Sequence, residues 1–311
     1  MDRLRIGTRG SALARVQASA VAASLQAAIP GLEVEIVVIG VSGDEGAAPS
    51  PAPPPVDKSR WVDRIESALL AGQIDLAVHS AKDVPRDLAP GCSLIGAPPR
   101  EDARDALCGA QDLQALVPGA RVGTGSIRRA AQLRAGRADL RIVDLRGNVD
   151  TRLRRLSEGG YDAIVLAAAG LDRLGRAEAG SPLPVWSFVP APGQGVLALE
   201  ARDDDPRTAR AAHAITDATA MSALRAERAL AAALDATCHT PLGAHARPTG
   251  DGGLELSAFV GLPDGSAWSR DAGVGTIAAP EALGCELAQR LRAAGADELL
   301  ARAEAMALEP A

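Results

Sequence analysis

The sequence predicts an α/β fold in two or three domains. Three observations carry this reading. The chain has 311 residues, and domains usually run to about 100–200 residues each. Strand-like and helix-like runs alternate through its first two-thirds, the pattern of parallel sheets with helical crossovers. The last hundred residues change to two-residue alternation followed by a closing helix, which suits a small α+β domain. Hydrophobic residues make up 47% and aromatics only 2%, so the cores must be built from Ala, Val, Leu and Ile.

Residues 3–8 form a short predicted strand. Ser11 then caps a helix to about residue 28, with Leu13, Val16, Val21, Leu25 and Ala28 at near-helical spacing. Residues 34–39 are a β-branched run and predict a buried strand. Residues 46–57, GAAPSPAPPPVD, carry five prolines and predict an extended or mobile loop. A helix over 59–71 and a strand over 74–79 follow. A second βα series starts at 121–123, with strands near 140–145 and 162–167. An Ala-rich helix spans 220–234, with Ala223, Ala226, Leu230 and Leu234 on one side. Leu254, Leu256, Ala258 and Val260 alternate as in a half-buried strand, and Asp264-Gly265-Ser266 suits a hairpin turn. Leu283, Leu287 and Leu291 mark the closing helix. There is no internal sequence repeat.

The formal net charge is −6, which argues against a general nucleic-acid binder. Of 33 cationic residues only Lys58 and Lys82 are lysine, leaving 31 arginines. The four cysteines, Cys92, Cys108, Cys238 and Cys285, form no CxxC pair, so neither a disulfide framework nor a zinc site is expected. No apolar run approaches the ~18–20 residues that span a bilayer. The first residues, MDRLRIGTRG, lack an apolar signal core, and the expectation is a cytoplasmic protein with no metal and no membrane partner.

Four segments bear on chemistry. In HSAKDVP, residues 79–85, the Val84-Pro85 step stops the strand and leaves Lys82 and Asp83 at its carboxyl end. Ligands of open α/β sheets bind at such ends, although a surface ion pair on a turn also satisfies the pattern. GTGSIRR, residues 123–129, turns through glycine into a helix whose first amides face an anion, with Arg128 and Arg129 beside them. RGNVDTRL, residues 146–153, repeats the device with Arg146 and Arg152. Arg9 and Arg173 also fall near strand ends, and together these arginines suit a small polyanionic ligand. Cys238, in LDATCHTPLG, sits in a polar turn where a thiol is reachable, whereas Cys285 on the closing helix suits packing.

RIGTRGSALARVQA, AVHSAKDVP, VGTGSIRR, LRGNVDTRL, DAIVLAAAGLDRL and PAPGQGVLALEAR together resemble the porphobilinogen deaminases, in that family's order and approximate spacing over nearly the whole chain. The resemblance implies two lobes like those of periplasmic binding proteins, with the active site in the cleft between them, and a small C-terminal α+β domain. On this chain those are residues 1–97 with 196–215, residues 101–192, and residues 218–311. It implies a dipyrromethane cofactor, made from the substrate and joined through a thioether to Cys238. Four porphobilinogens are then condensed head to tail with loss of ammonia, and hydrolysis releases hydroxymethylbilane.

The family's catalytic aspartate falls on Asp83. Lys82, Asp83, Ser126, Arg128, Arg129 and Arg146 align with cofactor-binding positions. Arg9, Ser11, Arg152, Arg173, Gln194 and Lys58 align with substrate-binding positions. The expected partner is porphobilinogen alone, and the expected state a monomer. The chain departs from the family pattern in PPPVDKSRW, which has one lysine and no glycine, in Val41, in Ala236-Thr237 before the cysteine, and in Asp150 within an arginine-rich motif. These departures motivate a second reading, a bilobed anion-binding or regulatory paralogue with weak or no deaminase activity. An unrelated solute-binding protein is a third.

Overall fold

The computed structural model describes residues 3–40, 59–237 and 240–308. In chain order the elements are β1 (Arg3–Thr8), α1 (Ala12–Ala28), β2 (Glu33–Val38), α2 (Ser59–Leu70), β3 (Leu76–Ser80), β4 (Cys92–Gly96), β5 (Asp105–Cys108), β6 (Arg121–Gly123), α3 (Ile127–Gly136), β7 (Arg141–Val143), α4 (Val149–Ser157), β8 (Ala163–Ala167), α5 (Ala168–Arg173), β9 (Ser181–Pro182), β10 (Leu197–Arg202), α6 (Pro206–His213), α7 (Ala218–Ala233), β11 (Leu242–Pro248), β12 (Gly253–Gly261), β13 (Trp268–Thr276), α8 (Pro280–Ala293) and α9 (Ala296–Leu308). The fold is mixed α/β, and the chain ends in a small domain built on a three-stranded sheet.

Two five-stranded sheets share one plan. The first has the order β2-β1-β3-β10-β4 and the second β7-β6-β8-β5-β9. In each, the earliest strand of a parallel trio lies in the middle, and a strand from elsewhere in the chain joins antiparallel. In the first sheet that strand is β10, which returns after the second sheet is complete; in the second it is β5, which precedes the trio. The sequence carries no repeat, yet the topology repeats, because strand order is set by connection rules and burial and tolerates any aliphatic filling.

The chain divides into two compact units, Met1–Arg100 with Val196–Met221 and Glu101–Gly195 with Ser222–Ala311. The core of the first packs Leu4, Ile6, Val21, Leu25, Leu76 and Leu199 between the sheet, α1 and α6. Full burial of each such aliphatic side chain contributes about 1.5–3 kcal/mol. The second unit holds both the second sheet and the three-stranded sheet β11-β12-β13. Contacts between those two parts are specific. Arg134 Nη1 donates to Pro263 O at 2.7 Å, and Arg270 Nη2 donates to Ser187 O at 2.5 Å. Gly265 has φ +74, and a Cβ there would lie 2.6 Å from Ala135 N, so only glycine fits that hairpin against α3.

Several sequence expectations need correction. The buried face of α1 is Gln17, Ala18, Val21, Ala22 and Leu25; Val16 and Ala28 are exposed. Among the described residues strand β2 pairs only with β1, at the sheet's edge, so Ile36 and Val38 are exposed rather than buried. Cys285 points to solvent on α8, while Cys92 and Cys108 are buried in strands. A further helix, α9, follows the predicted closing one. The proline-rich segment 46–57 lies outside the described residues.

Candidate active site

In the first unit, β3 stops at Ser80 and Ala81–Asp83 make a single 3₁₀ turn, closed by the Val84 N–H donating to Ala81 O at 3.2 Å. Pro85 cannot continue a ladder, so the turn ends there. Lys82 and Asp83 are half-buried. A small cavity of about 80 Å³ opens at this strand end, lined among others by Arg9, Ser11, Gln17, His79, Ser80 and Asp83. Ser11 caps α1 by accepting the Ala14 N–H at 3.3 Å, and Gln17 Nε2 donates to Ser80 Oγ at 2.9 Å, tying α1 to the end of β3.

In and behind this wall lie three buried titratable groups. His79 Nε2 is 2.9 Å from Glu200 Oε2 on β10, with side chains 5% and 0% exposed. Glu66 on α2 accepts the Ala89 N–H at 2.8 Å. Burial pushes the Glu66 carboxyl above the usual range; the Ala89 N–H opposes this, and the neighbouring Glu200 adds to it through its charge. Cys92 is nearby. Burial first, then the charges of Glu200 and Glu66, push its thiol up to about 11.

In the second unit, Ser126 caps α3 by accepting the Arg129 N–H at 3.4 Å. Arg128 and Arg129 lie in the first turn and are 4% and 6% exposed. Both converge on Asp105, the first residue of β5, which is fully buried. Arg128 Nη1 lies 2.8 Å from Asp105 Oδ2 and donates to Val189 O at 2.6 Å. Arg129 reaches Asp105 Oδ1 through Nη2 at 2.7 Å and Nε at 2.8 Å, and its Nη1 donates to Val165 O at 2.8 Å. Gln194 Nε2 donates to Asp105 Oδ1 at 3.1 Å and to Ala103 O at 2.7 Å. Burial lowers the Arg128 pKa, and the Asp105 charge works against that drop. One carboxylate thus serves two enclosed guanidiniums, leaving one positive charge uncompensated within this group.

The other expected arginines are placed separately. Arg146 is exposed, with Nε donating to Asp144 Oδ2 at 2.8 Å. Arg152 Nε donates to Gly147 O at 2.8 Å, in the turn before α4, whose cap is Asn148. Arg173, at the end of α5, donates to Gly195 O at 2.9 Å, and burial lowers its pKa. Asp150 is exposed in the first turn of α4. Cys238 and Lys58 lie outside the described residues. Sequence reasoning missed Asp105, Glu66 and Glu200. The one available signal for Asp105 was a carboxylate opening the apolar run Ala106–Cys108, since an unpaired charge is seldom buried. No helix among the described residues is long and apolar enough to cross a membrane.

Comparison with known proteins decides the family. Residues 4–210 match "Porphobilinogen deaminase, dipyromethane cofactor binding domain", and residues 221–293 match "Porphobilinogen deaminase, C-terminal domain". The chain belongs to the porphobilinogen deaminase family. It is 49% identical over 301 residues to the porphobilinogen deaminase of Roseiflexus sp. (strain RS-1), covering 96% of this chain and 98% of that one. Against the porphobilinogen deaminase of Thermus thermophilus it is 43% identical over 300 residues, covering 96% and 98%. Among solved structures, it is similar to a putative periplasmic sulfonate-binding protein of Methylobacillus flagellatus KT. The TM-score is 0.39, with 15% identity over 73% of this chain and 67% of that one. That last likeness is loose, and the family rests on the sequence matches.

Proposed function

We propose that the chain is an active hydroxymethylbilane synthase, with Asp83 as its catalytic carboxylate. The observation that carries this reading is Asp83 on the wall of a small cavity, beside Arg9 and Ser11, in a chain of this family. Loss of ammonia from porphobilinogen leaves a pyrrole-derived cation. A fixed carboxylate in a partly desolvated pocket steadies that cation and accepts its ring N–H. Preorganised charge of this kind is often the largest catalytic contribution. Each pyrrole carries two carboxylates, so a growing chain accumulates negative charge, which Arg9, Arg152 and Arg173 answer, with Ser11, Gln194 and Lys58 completing the substrate set.

The family's cofactor is a dipyrromethane, and the buried charge of the second unit fits a carboxylate-bearing group. Arg128, Arg129, Arg146 and Ser126 would hold it together with Lys82 and Asp83, with Cys238 as the covalent anchor. When bound, it supplies a tethered pyrrole end for chain growth. Asp105 keeps both enclosed guanidiniums oriented while leaving their summed charge positive. The same reading expects a cytoplasmic monomer that takes no nucleic acid.

Intact-mass spectrometry tests it. Protein produced in cells that make porphobilinogen should carry an adduct of two condensed pyrrole units, and Cys238→Ser should remove it. An unmodified wild-type chain that forms no hydroxymethylbilane would instead support the anion-binding paralogue.

A further inference from the structure

The carbonyl that helps to fix Arg128 is itself held by a side chain to which the chemistry above gives no task. Val189 lies in the connection between β9 and β10, outside the strand ladders. It is buried, so its N–H and C=O need partners from elsewhere. Gln132 supplies both. Its Oε1 accepts the Val189 N–H at 2.7 Å, and its Nε2 donates to Val189 O at 2.9 Å. A carboxamide offers the same acceptor and donor as a peptide, so Gln132 stands where a neighbouring strand would.

Arg128 and Gln132 are four residues apart on α3 and lie one turn apart on one face. Both reach the same carbonyl: Arg128 Nη1 donates to Val189 O at 2.6 Å and lies 2.8 Å from Asp105 Oδ2. The Arg128 guanidinium also lies over the Phe188 ring, 5.8 Å from its centroid. Among the described residues, Nε and Nη2 of Arg128 make no hydrogen bond. The Val189–Pro190 peptide has a second dependant within the same unit. A Cβ on Gly243 of β11 would lie 2.8 Å from Val189 O, and the Ala244 N–H donates to Pro190 O at 2.9 Å. Leu242 opens β11 four residues beyond Cys238.

We propose that Gln132 is a positioning residue for cofactor capture, pinning the Val189 peptide so that the Nε–Nη2 edge of Arg128 is aimed at a cofactor carboxylate. The inference rests on the synthase reading. An arginine side chain has several rotatable bonds, and ordering it before the anion arrives removes an entropy cost from binding. The contact with Asp105 alone leaves the Arg128 guanidinium able to pivot about Nη1. Val189 O adds a second point and Phe188 a face. The unengaged edge then matches a carboxylate in two-bond geometry. The carbonyl can serve only if its own place is set, and Gln132 sets it. Because β11 packs on the same peptide, the aim of Arg128 and the strand that follows Cys238 share one support. Arg129 is the internal control. Its Nε and Nη2 are held by Asp105 and its Nη1 by Val165 O, with no part for Gln132.

The test uses full-length apoprotein from cells that make no porphobilinogen, with arginine labelled by nitrogen-15. Arg128→Lys and Arg129→Lys assign the two side-chain signals. In the wild type both Nε–H groups should relax as rigid groups. Gln132→Met keeps the length and loses both bonds; it should loosen Arg128 Nε–H and leave Arg129 Nε–H rigid. Uptake of two pyrrole units from added porphobilinogen, followed by intact mass, should slow by about 3–10-fold, the scale of ordering one long side chain. Should Gln132→Met fail to fold, Gln132→Asn, a carboxamide one methylene short of the peptide, carries the same measurements. A mobile Arg128 in the wild type, or equal loosening of both arginines in the variant, overturns the proposal. So does a variant with a lowered unfolding midpoint whose Arg128 stays rigid, which is the mark of a structural role alone. A wild-type chain that never gains two pyrrole units overturns the synthase reading and this inference with it. A wild type that loads, beside a variant loading within about twofold of it, overturns this inference alone.

Discussion

The two units each bury a knot of charge, and the knots are opposite in kind. In the first, two carboxyls face one imidazole, and burial beside Glu200 raises the Glu66 carboxyl. In the second, two guanidiniums face one carboxylate, so the group has positive charge to spare and no proton to move, because arginine does not titrate in the accessible range. The first knot is made of groups that can change charge, the second mainly of charges that stay fixed. A buried charge is expensive wherever it lies. The difference between the knots is therefore one of sign and titratability rather than of burial.

The largest expected effect tests the second knot. Asp105→Ala leaves two enclosed guanidiniums without their carboxylate, and breaking a buried pair from one side costs about 3–5 kcal/mol. Urea unfolding followed by circular dichroism should show a midpoint lowered accordingly. A midpoint close to wild type would mean that solvent already screens the pair, and the contrast between the units would fail. Next comes Asp83→Ala. The proposed role predicts a turnover reduced by about 10²–10³-fold with the unfolding midpoint little changed, because the side chain is half-buried and serves the reaction. Turnover near wild type would remove Asp83 from the chemistry. A third change probes a carboxylate with neither role. Glu227 on α7 is fully buried and accepts N–H groups from Gly193 at 2.6 Å and Ala246 at 2.7 Å. Glu227→Gln can satisfy only one of them by the same geometry and should cost about 1–3 kcal/mol, read in the same unfolding experiment.

Much of this was legible in the sequence. The strand-turn at HSAKDVP, the Ser11 cap and the alternation of β12 follow from local rules on proline, capping oxygens and two-residue period. Strand β10 was not read as a strand, because VLALEAR is also a good helical composition and only its antiparallel place between β3 and β4 decides. The edge position of β2 was hidden for a related reason. Its β-branched run reads like a central strand, and exposure depends on which neighbours the topology supplies. For the site, Asp83 and the arginines stood out through family-like segments. Asp105, Glu66 and Glu200 did not, because a buried carboxylate is recognisable only by the partner that compensates it, and those partners lie far off in sequence: Glu200 is paired with His79, and Asp105 with Arg128.

The smallest effect separates the knots most finely. Cys92 and Cys108 both have thiols pushed up to about 11 from 9.0, by burial first. Near neutral pH, iodoacetamide should therefore label exposed Cys285 and leave these two unmodified in the folded protein. Because the folded thiols bind their protons more tightly than unfolded ones, their contribution to stability is complete below pH 9 and is lost as pH rises toward about 11. Beyond burial the causes diverge. The charges of Glu200 and Glu66 raise Cys92 further, whereas Arg129 pulls Cys108 down. Glu200→Gln should thus lower the Cys92 titration and leave Cys108 unmoved, a difference that thiolate absorbance in single-cysteine backgrounds would resolve. Equal movement of both thiols would mean that the substitution loosened the fold, and an unmoved Cys92 would mean that the Glu200 side chain does not act on the thiol.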